Sequence, residues 1–431
     1  MTRSRSQIGL LASILALFIS WAAAAQEMLA PPPAPAEAAP AAGASALLAA
    51  AEKAPQVVVG RVSAPTRIDR HGWRATLLVE RTLHGDPPAG KTLVIAWEEL
   101  GTKRPARFAD GVRVVLALEP LPPGSLWRER FPKGDALAVA ARGEAFLRNP
   151  DADTLEPLSA WLSVGPAARE DARGVAALAA LAARGQPRLA TAALRRLDAI
   201  PDLADRVPSA DTAAKDLAQL FADGARPLDL RRGAFDLAGR RKLVALQPAI
   251  EAIASTPSEV QGAAVDALGQ LRGGFPVERA AELLRSPDPA VRAAVARRAG
   301  EGVPNATLRA LFASDPAPAV RAAAATALAA REGPAANDVL IVALRAADSQ
   351  VRSAAMHGLA AQGAAAVPAL REEIWESAPT AEPGRLAGAV LTLALTGGDG
   401  LAELRRIVHE HPSQSVRRLA TLALGRIEEK P

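Results

Sequence analysis

Residues 287–300 read PDPAVRAAVARRAG, residues 316–329 read PAPAVRAAAATALA, and residues 347–360 read ADSQVRSAAMHGLA. The same phrase, less strictly kept, appears at 257–270 as PSEVQGAAVDALGQ, at 382–395 as EPGRLAGAVLTLAL and at 412–425 as PSQSVRRLATLALG. Its anchor is an aliphatic residue, in turn Val260, Val291, Val320, Val351, Leu386 and Val416, recurring at intervals of 31, 29, 31, 35 and 30 residues. A period of that size with helix-type patterning predicts stacked helical repeats rather than a globular enzyme domain.

Apolar residues fall three, four and eight positions after each anchor, as in Val320, Ala323, Ala324 and Leu328. That stripe predicts an amphipathic helix. A Pro/Asp/Ser turn precedes most of these helices, for example Ser286-Pro287-Asp288-Pro289, where an Asp or Ser can accept from the orphan amides of the first turn. A second apolar segment lies upstream of each turn, at 280–284, 308–312, 339–344, 367–374 and 401–408, so one period is an antiparallel helix pair. Weaker copies around Leu230 and Leu189, and a helix-like stretch at 167–183, extend the array to seven or eight pairs over residues 165–428.

The Val-Arg pair that opens the second helix (Val291-Arg292, Val320-Arg321, Val351-Arg352, Val416-Arg417), with the Ala/Leu run after it, resembles the short, PBS-lyase-type variety of HEAT-like repeat. Gln261 and Ala387 stand where the arginine is expected, so two copies depart from the pattern. The resemblance implies an α-solenoid that binds a protein partner; the link with lyases implies no chemistry here, because no catalytic constellation accompanies it. Arg292 and Arg352 each follow an Asp by four residues (Asp288, Asp348), a spacing that predicts Asp–Arg pairs tying the turn to its helix or to the next repeat. Arg321 and Arg417 lack that Asp and are expected to find partners in a neighbouring repeat.

From Gln56 the period changes. Short β-type runs at 57–62, 75–83, 92–97, 112–118, 136–140 and 144–147, separated by Gly, Pro and Asp, predict a small barrel over residues 55–150. The succession of Val59-Gly60-Arg61-Val62, a Leu-Val-Glu-Arg strand, His84-Gly85 and a Lys-Thr-Leu-Val-Ile strand is similar to netrin-like OB barrels. Protease inhibitors of that kind reach a metal with an N-terminal cysteine, and with no Cys in the chain the inhibitory role does not carry over. Trp73, Trp97, Trp127 and Trp161 lie in or beside this region, as barrel core or as a ligand-facing surface. The fold class expected is α+β, mainly α: an α-solenoid preceded by a small β-barrel domain.

Ahead of the barrel, Arg3 and Arg5, an apolar core at 8–21 and Ala23-Ala24-Ala25 follow one another as in a signal peptide over 1–25. Residues 26–54, rich in Ala and Pro, are expected to be a disordered tether. A periplasmic or secreted product follows, with an uncleaved inner-membrane anchor as the alternative. Among 431 residues, 51 Lys and Arg face 46 Asp and Glu, and loss of Arg3 and Arg5 leaves an excess of +3, which argues against nucleic acid as a partner.

The chemistry-bearing residues are sparse. There are five His, and only His409-Glu410-His411 clusters, at a spacing that puts the rings on different sides of a helix; no metal, cofactor, catalytic residue or small-molecule substrate is inferred. Asp202/Asp205 and Glu372/Glu373 are expected on solvated helix faces. The function expected is an exported scaffold without catalysis, the alternatives being an enzyme or enzyme accessory of the lyase-type HEAT class and a modulator of an envelope protease acting through the barrel. Arg297, Arg298, Arg331, His357 and Arg418 on the second helices are the expected partner-binding set, suited to an acidic segment. If the leader is cleaved as its pattern predicts, N-terminal sequencing of the protein purified from cell envelope returns a chain beginning near Gln26; an intact Met1 or Thr2 contradicts it.

Overall fold

The computed structural model describes residues 42–99, 107–121, 130–131, 136–208, 211–376 and 383–428. The expected leader, the first part of the expected tether and Trp127 lie outside the described residues. The chain forms two compact units, one ending at Pro166 and one beginning at Ala167.

In the first unit, helix α1 (Ala42–Ala51) precedes strands β1 (Gln56–Arg67), β2 (Gly72–His84), β3 (Thr92–Glu98), β4 (Arg113–Pro120) and β5 (Ala136–Val139). A short helix α2 (Ala140–Gly143), strand β6 (Phe146–Arg148) and helix α3 (Ala152–Ser163) follow. The sheet runs β1-β2-β3-β5-β4 and closes through an antiparallel β1–β4 pairing, with β3 and β5 parallel and β6 added outside β4. That is a five-stranded Greek-key barrel of the OB kind. Register shifts at Val57/Val58, Val59/Gly60 and Ser63/Thr66 let β1 bend enough to pair on both sides. Val58, Val62, Leu77, Ile95, Trp97, Leu116 and Leu118 fill the interior. Trp97 is buried and stacks on Trp73 at 6.2 Å between centroids, so these two serve the core.

The run Val114–Leu118 is buried on both faces of β4, which a barrel strand facing water could not sustain. Its cover is α1, which packs on β4 and β6 through buried Leu47, Leu48 and Ala51. Residues 42–51 are therefore a docked helix, which corrects the expectation of a tether reaching to 54. Alanine is the best intrinsic helix former, and the Leu47-Leu48 pair supplies the apolar anchor that the Ala/Pro segment before it lacks.

The second unit is a run of helix pairs. α4 (Ala172–Arg184) and α5 (Pro187–Asp198) begin it, then α6 (Thr212–Ala222) and α7 (Leu228–Arg240), α8 (Gln247–Ala254) and α9 (Gln261–Arg272), and α10 (Val277–Leu283) and α11 (Pro289–Arg297). It continues with α12 (Asn305–Ser314) and α13 (Pro318–Glu332), α14 (Asn337–Leu344) and α15 (Ser349–Ala361), α16 (Val367–Glu376) and α17 (Pro383–Leu395), and α18 (Gly398–Glu410) and α19 (Gln414–Glu428). All six anchors, Val260 to Val416, are buried.

The recurring arginine has one task in common. Arg292 donates to the carbonyls of Ser286 and Pro287 at 2.8 and 3.1 Å, Arg321 to Asp315 and Pro316 at 2.8 and 3.1 Å, and Arg352 to Ala346 and Ala347 at 2.8 and 2.6 Å. Arg417 bonds the His411 and Pro412 carbonyls in the same way. These carbonyls sit just past the end of the first helix of each pair, where the intrahelical ladder has no donors left. The two departing positions differ: Gln261 donates its amide to the Ala254 carbonyl at 3.2 Å, doing the arginine's work, whereas Ala387 has no side chain to do so. The expected i,i+4 Asp–Arg pairs are thus corrected. Asp288 and Asp348 turn the other way and accept from Ala290 N–H (2.8 Å) and Gln350 N–H (2.9 Å) as N-caps. Arg292 does reach the next repeat, but through a two-pronged pair with Asp315 at 2.8 and 2.9 Å.

Small residues set the distance between repeats. A Cβ added to Gly262 on α9 would stand 2.6 Å from Ala290 Cβ on α11, and one added to Gly358 on α15 would stand 2.7 Å from Ala329 Cβ on α13. Ion pairs one repeat apart close the seams: Arg231 with Glu259 (2.7 Å), Arg371 with Glu403 (2.8 Å), Arg309 with Asp338 (2.8 Å), and Arg345 with Glu373. Glu373 is buried in its pair, so only Glu372 of that doublet is on a solvated face. Gly262→Val forces α9 and α11 apart, at a cost of about 1–3 kcal/mol. We expect the variant's circular-dichroism melting temperature to fall by several degrees; an unchanged melt contradicts the packing.

Candidate functional site

Four consecutive second helices, α7, α9, α11 and α13, end along one edge of the array, and a cleft of about 1090 Å³ opens there. Its walls carry Arg240, Lys242, Arg272, Arg297, Arg298 and Arg331, with Glu301 as the acidic lining residue. Three of the five expected partner-binding residues, Arg297, Arg298 and Arg331, meet here. The other two do not: His357, on α15, bonds back to Ser353 at 2.8 Å, and Arg418 lies exposed on α19. The sequence reading missed Arg240 and Lys242 at the end of α7 and Arg272, one period on, at the end of α9.

Cations gather at this edge for a local reason. A helix C-terminus presents unpaired carbonyls and a partial negative charge, and a guanidinium or ammonium satisfies both. Lys242 bonds the Gln270 carbonyl at the end of α9, and Arg331 bonds the Val303 carbonyl. Glycines at 273, 274, 300 and 302 turn the chain after α9 and α11 and let the two turns approach, a Cβ on Gly274 standing 3.0 Å from Gly300 Cα. Gly273 and Gly300 have φ of 75° and 49°, a region that a side chain would strain.

The cations are not equally neutralised. Arg240 lies between Asp236 (2.8 Å) and Asp198 (3.0 Å), and Arg272 pairs with Glu251. Arg297 (2.7 Å) and Arg298 (3.0 Å) share the single carboxylate of Asp266, while Lys242 and Arg331 bond carbonyls, which carry no full charge. Counting Asp266 and the lining Glu301 against Lys242, Arg297, Arg298 and Arg331, positive charge is in excess at this end of the cleft. Asp266 is 16% exposed in its side chain and also accepts from Gln270 at 2.8 Å. Burial pushes its carboxyl up, yet the Arg298 hydrogen bond, the Arg297 charge and the Gln270 amide outweigh burial and hold it below the usual carboxylate value.

Elsewhere, among the described residues, no group of three or more His, Cys, Asp and Glu is placed to hold a metal, and no helix is long and apolar enough to cross a membrane. Of the His409-Glu410-His411 cluster, His409 is exposed and Glu410 pairs with Arg406 at 2.8 Å. His411 is buried, one ring nitrogen meeting the Ile374 carbonyl and the other accepting from Ser413 N–H, so it closes the turn before α19.

A carboxyl whose folded pKa is depressed contributes stability above its unfolded value and loses it as pH falls through the folded value. Asp266→Asn should therefore lower the unfolding free energy by about 1–3 kcal/mol near pH 7. That deficit should shrink below about pH 4, where the wild-type carboxyl also protonates. Urea unfolding at the two pH values checks this; an equal deficit at both contradicts it.

Residues 305–382, from α12 to just beyond α16, match the family model described as HEAT repeats. A search of characterised proteins finds no match. Among solved structures, human deoxyhypusine hydroxylase in complex with glycerol is 20% identical over 60% of this chain and 97% of its own, with a TM-score of 0.28. The Escherichia coli protein YibA is 17% identical over 59% of this chain and 92% of its own, with a TM-score of 0.34. An engineered protein is 18% identical over 64% and 86%, with a TM-score of 0.27. At those scores the likenesses carry no argument about this chain. The matched segment lies inside the helix-pair run, and the clamped turns before it and after it follow the same plan: the array that ends at Glu428 is built of HEAT-like repeats.

Proposed function

We propose that this protein is an exported scaffold that holds a partner protein against its HEAT-like array, with an acidic segment of the partner seated in the cleft at the ends of α7, α9, α11 and α13. The observation that supports this reading is the convergence of Lys242, Arg297, Arg298 and Arg331 on one open cleft with too few carboxylates to neutralise them. The action is recognition over several repeats with no covalent step. Export rests on the order of charged, apolar and small residues in 1–25.

The test is capture of a partner from cell-envelope extract by the full chain and by a triple variant, Lys242→Gln, Arg297→Gln and Arg331→Gln, which keeps Arg298 on Asp266. Recovery by the wild type should fall as salt rises from about 50 to about 300 mM. The triple variant, with unchanged circular dichroism, should recover about tenfold less of the same protein, a loss of about 1.4 kcal/mol. Equal recovery by the two proteins moves the binding surface away from the cleft.

A further inference from the structure

The seams between consecutive helix pairs are not built alike. In the second-helix layer, the earlier seams are closed by small residues in forced contact and by polar bridges. Gly262 of α9 faces Ala290 of α11 and Gly358 of α15 faces Ala329 of α13, where an added Cβ would stand 2.6 and 2.7 Å from the alanine Cβ. Asp266 of α9 takes Arg297 and Arg298 from the end of α11. The Gln362 amide, just past α15, donates to the Gly333 carbonyl, just past α13, at 3.0 Å.

Helix α17 departs on each count. Its anchor, Leu386, follows Val351 by 35 residues, the longest of the five intervals, and Ala387 has no side chain with which to clamp the turn before it. α15 packs closely on α13 but only sparsely on α17. Gly388 of α17 faces Leu344 of α14 rather than α15, and a Cβ there would stand at an ordinary 3.5 Å. Dispersion attraction is lost quickly as surfaces separate, so little holds α15 and α17 together.

The first-helix layer of the same seam is tied. Arg345, at the end of α14, makes a two-pronged pair with Glu373 of α16, whose carboxylate is buried. Parting that pair would leave a buried charge without compensation. Beyond it, Glu403 of α18 accepts from Arg371 Nε at 2.8 Å and from Trp375 Nε1 at 2.9 Å, both on α16, and the His411 ring meets the Ile374 carbonyl at 3.2 Å. Helices α16 to α19 therefore form one block, pinned to α14 along one edge.

A solenoid unit touches only its neighbours, so a seam tied in one layer and slack in the other can bend without disturbing the rest. We propose that this seam is a hinge: residues 367–428 swing as one body about the Arg345–Glu373 pair, and the swing changes the curvature of the array. The cleft at the ends of α7, α9, α11 and α13 lies wholly before the hinge, so the hinge does not depend on what the cleft binds.

The chain has no Cys, so nitroxide labels on pairs of introduced cysteines can measure the motion by double electron–electron resonance. Thr326→Cys with His357→Cys spans α13 and α15, His357→Cys with Leu395→Cys spans α15 and α17, and Leu395→Cys with Thr421→Cys lies within the swinging block; all four native residues are exposed. The distance distribution of the second pair should be at least about twice as broad as those of the first and third. Glu373→Gln, with unchanged circular dichroism, should broaden the second further and leave the other two as they were. Equal widths for all three overturn the hinge, and a third as broad as the second overturns the single swinging body. Gly358→Ala should lower the melting temperature by several degrees, whereas Gly388→Ala should leave it unchanged or raise it, because alanine fits there and favours the helix. Equal losses in both variants overturn the slack seam.

Discussion

A helix pair has to stop one helix and start another within a few residues, and each stop leaves carbonyls without donors while each start leaves amides without acceptors. At two of the four arginine-clamped turns the two needs are met by two residues set four apart, Asp288 with Arg292 and Asp348 with Arg352. An Asp in the turn accepts from the new helix's amides, and an Arg one turn into that helix reaches back to the carbonyls just past the old one, as Asp348 and Arg352 show. A hydrogen bond to a charged group contributes about 1.5–3 kcal/mol, more than a neutral one, and the guanidinium offers enough donors to take two carbonyls at once. The anchor valine beside each arginine is buried, so the clamp also fixes which face of the second helix turns inward.

The remaining features of the array follow from that geometry. With each turn held, second helices can stack at the short distance their Gly and Ala faces permit, and seam pairs such as Arg231–Glu259 and Arg371–Glu403 then lie one repeat apart in sequence and adjacent in space. Stacking also aligns the second helices' own C-termini. The cations in and just after their last turns thereby come to a single edge, where Lys242 bonds the Gln270 carbonyl near the end of α9 and the arginines pair with Asp or Glu or, at Arg331, with the Val303 carbonyl. The same side chains serve structure and present charge, because Arg297 and Arg298 share Asp266 and because Lys242 and Arg331 bond neutral carbonyls.

The period of the array was legible because the anchors recur every 29–35 residues with apolar partners at helical offsets. The β runs were legible from their punctuation, but the closure of the barrel through β1 and β4 was not, since a pairing across some fifty residues leaves no local mark. Three readings failed for identifiable reasons. Spacing of four between Asp288 and Arg292 suggested a pair, but the Asp288 carboxylate accepts from its own helix's Ala290 N–H, while the Arg292 guanidinium bonds the Ser286 and Pro287 carbonyls and Asp315. Gln261 looked like an eroded position, although an amide can donate to a carbonyl as a guanidinium does. Helix α1 hid in an Ala/Pro-rich stretch, marked within the helix by the pair Leu47-Leu48 alone among its larger apolar residues. The cleft itself was half legible: Arg297, Arg298 and Arg331 stand out by charge, whereas Lys242 and Arg272 gain their place only from stacking.

The central claim, that Arg352 clamps backbone carbonyls rather than pairing with Asp348, is open to a double-mutant cycle of Arg352→Met and Asp348→Ala read by urea unfolding. The clamp predicts a loss of about 1.5–3 kcal/mol for Arg352→Met and about 1 kcal/mol for Asp348→Ala. It also predicts that the two losses add to within about 0.5 kcal/mol, since the side chains serve different backbone groups. Near-neutral behaviour of Arg352→Met, or a coupling as large as the smaller single loss, would contradict the account.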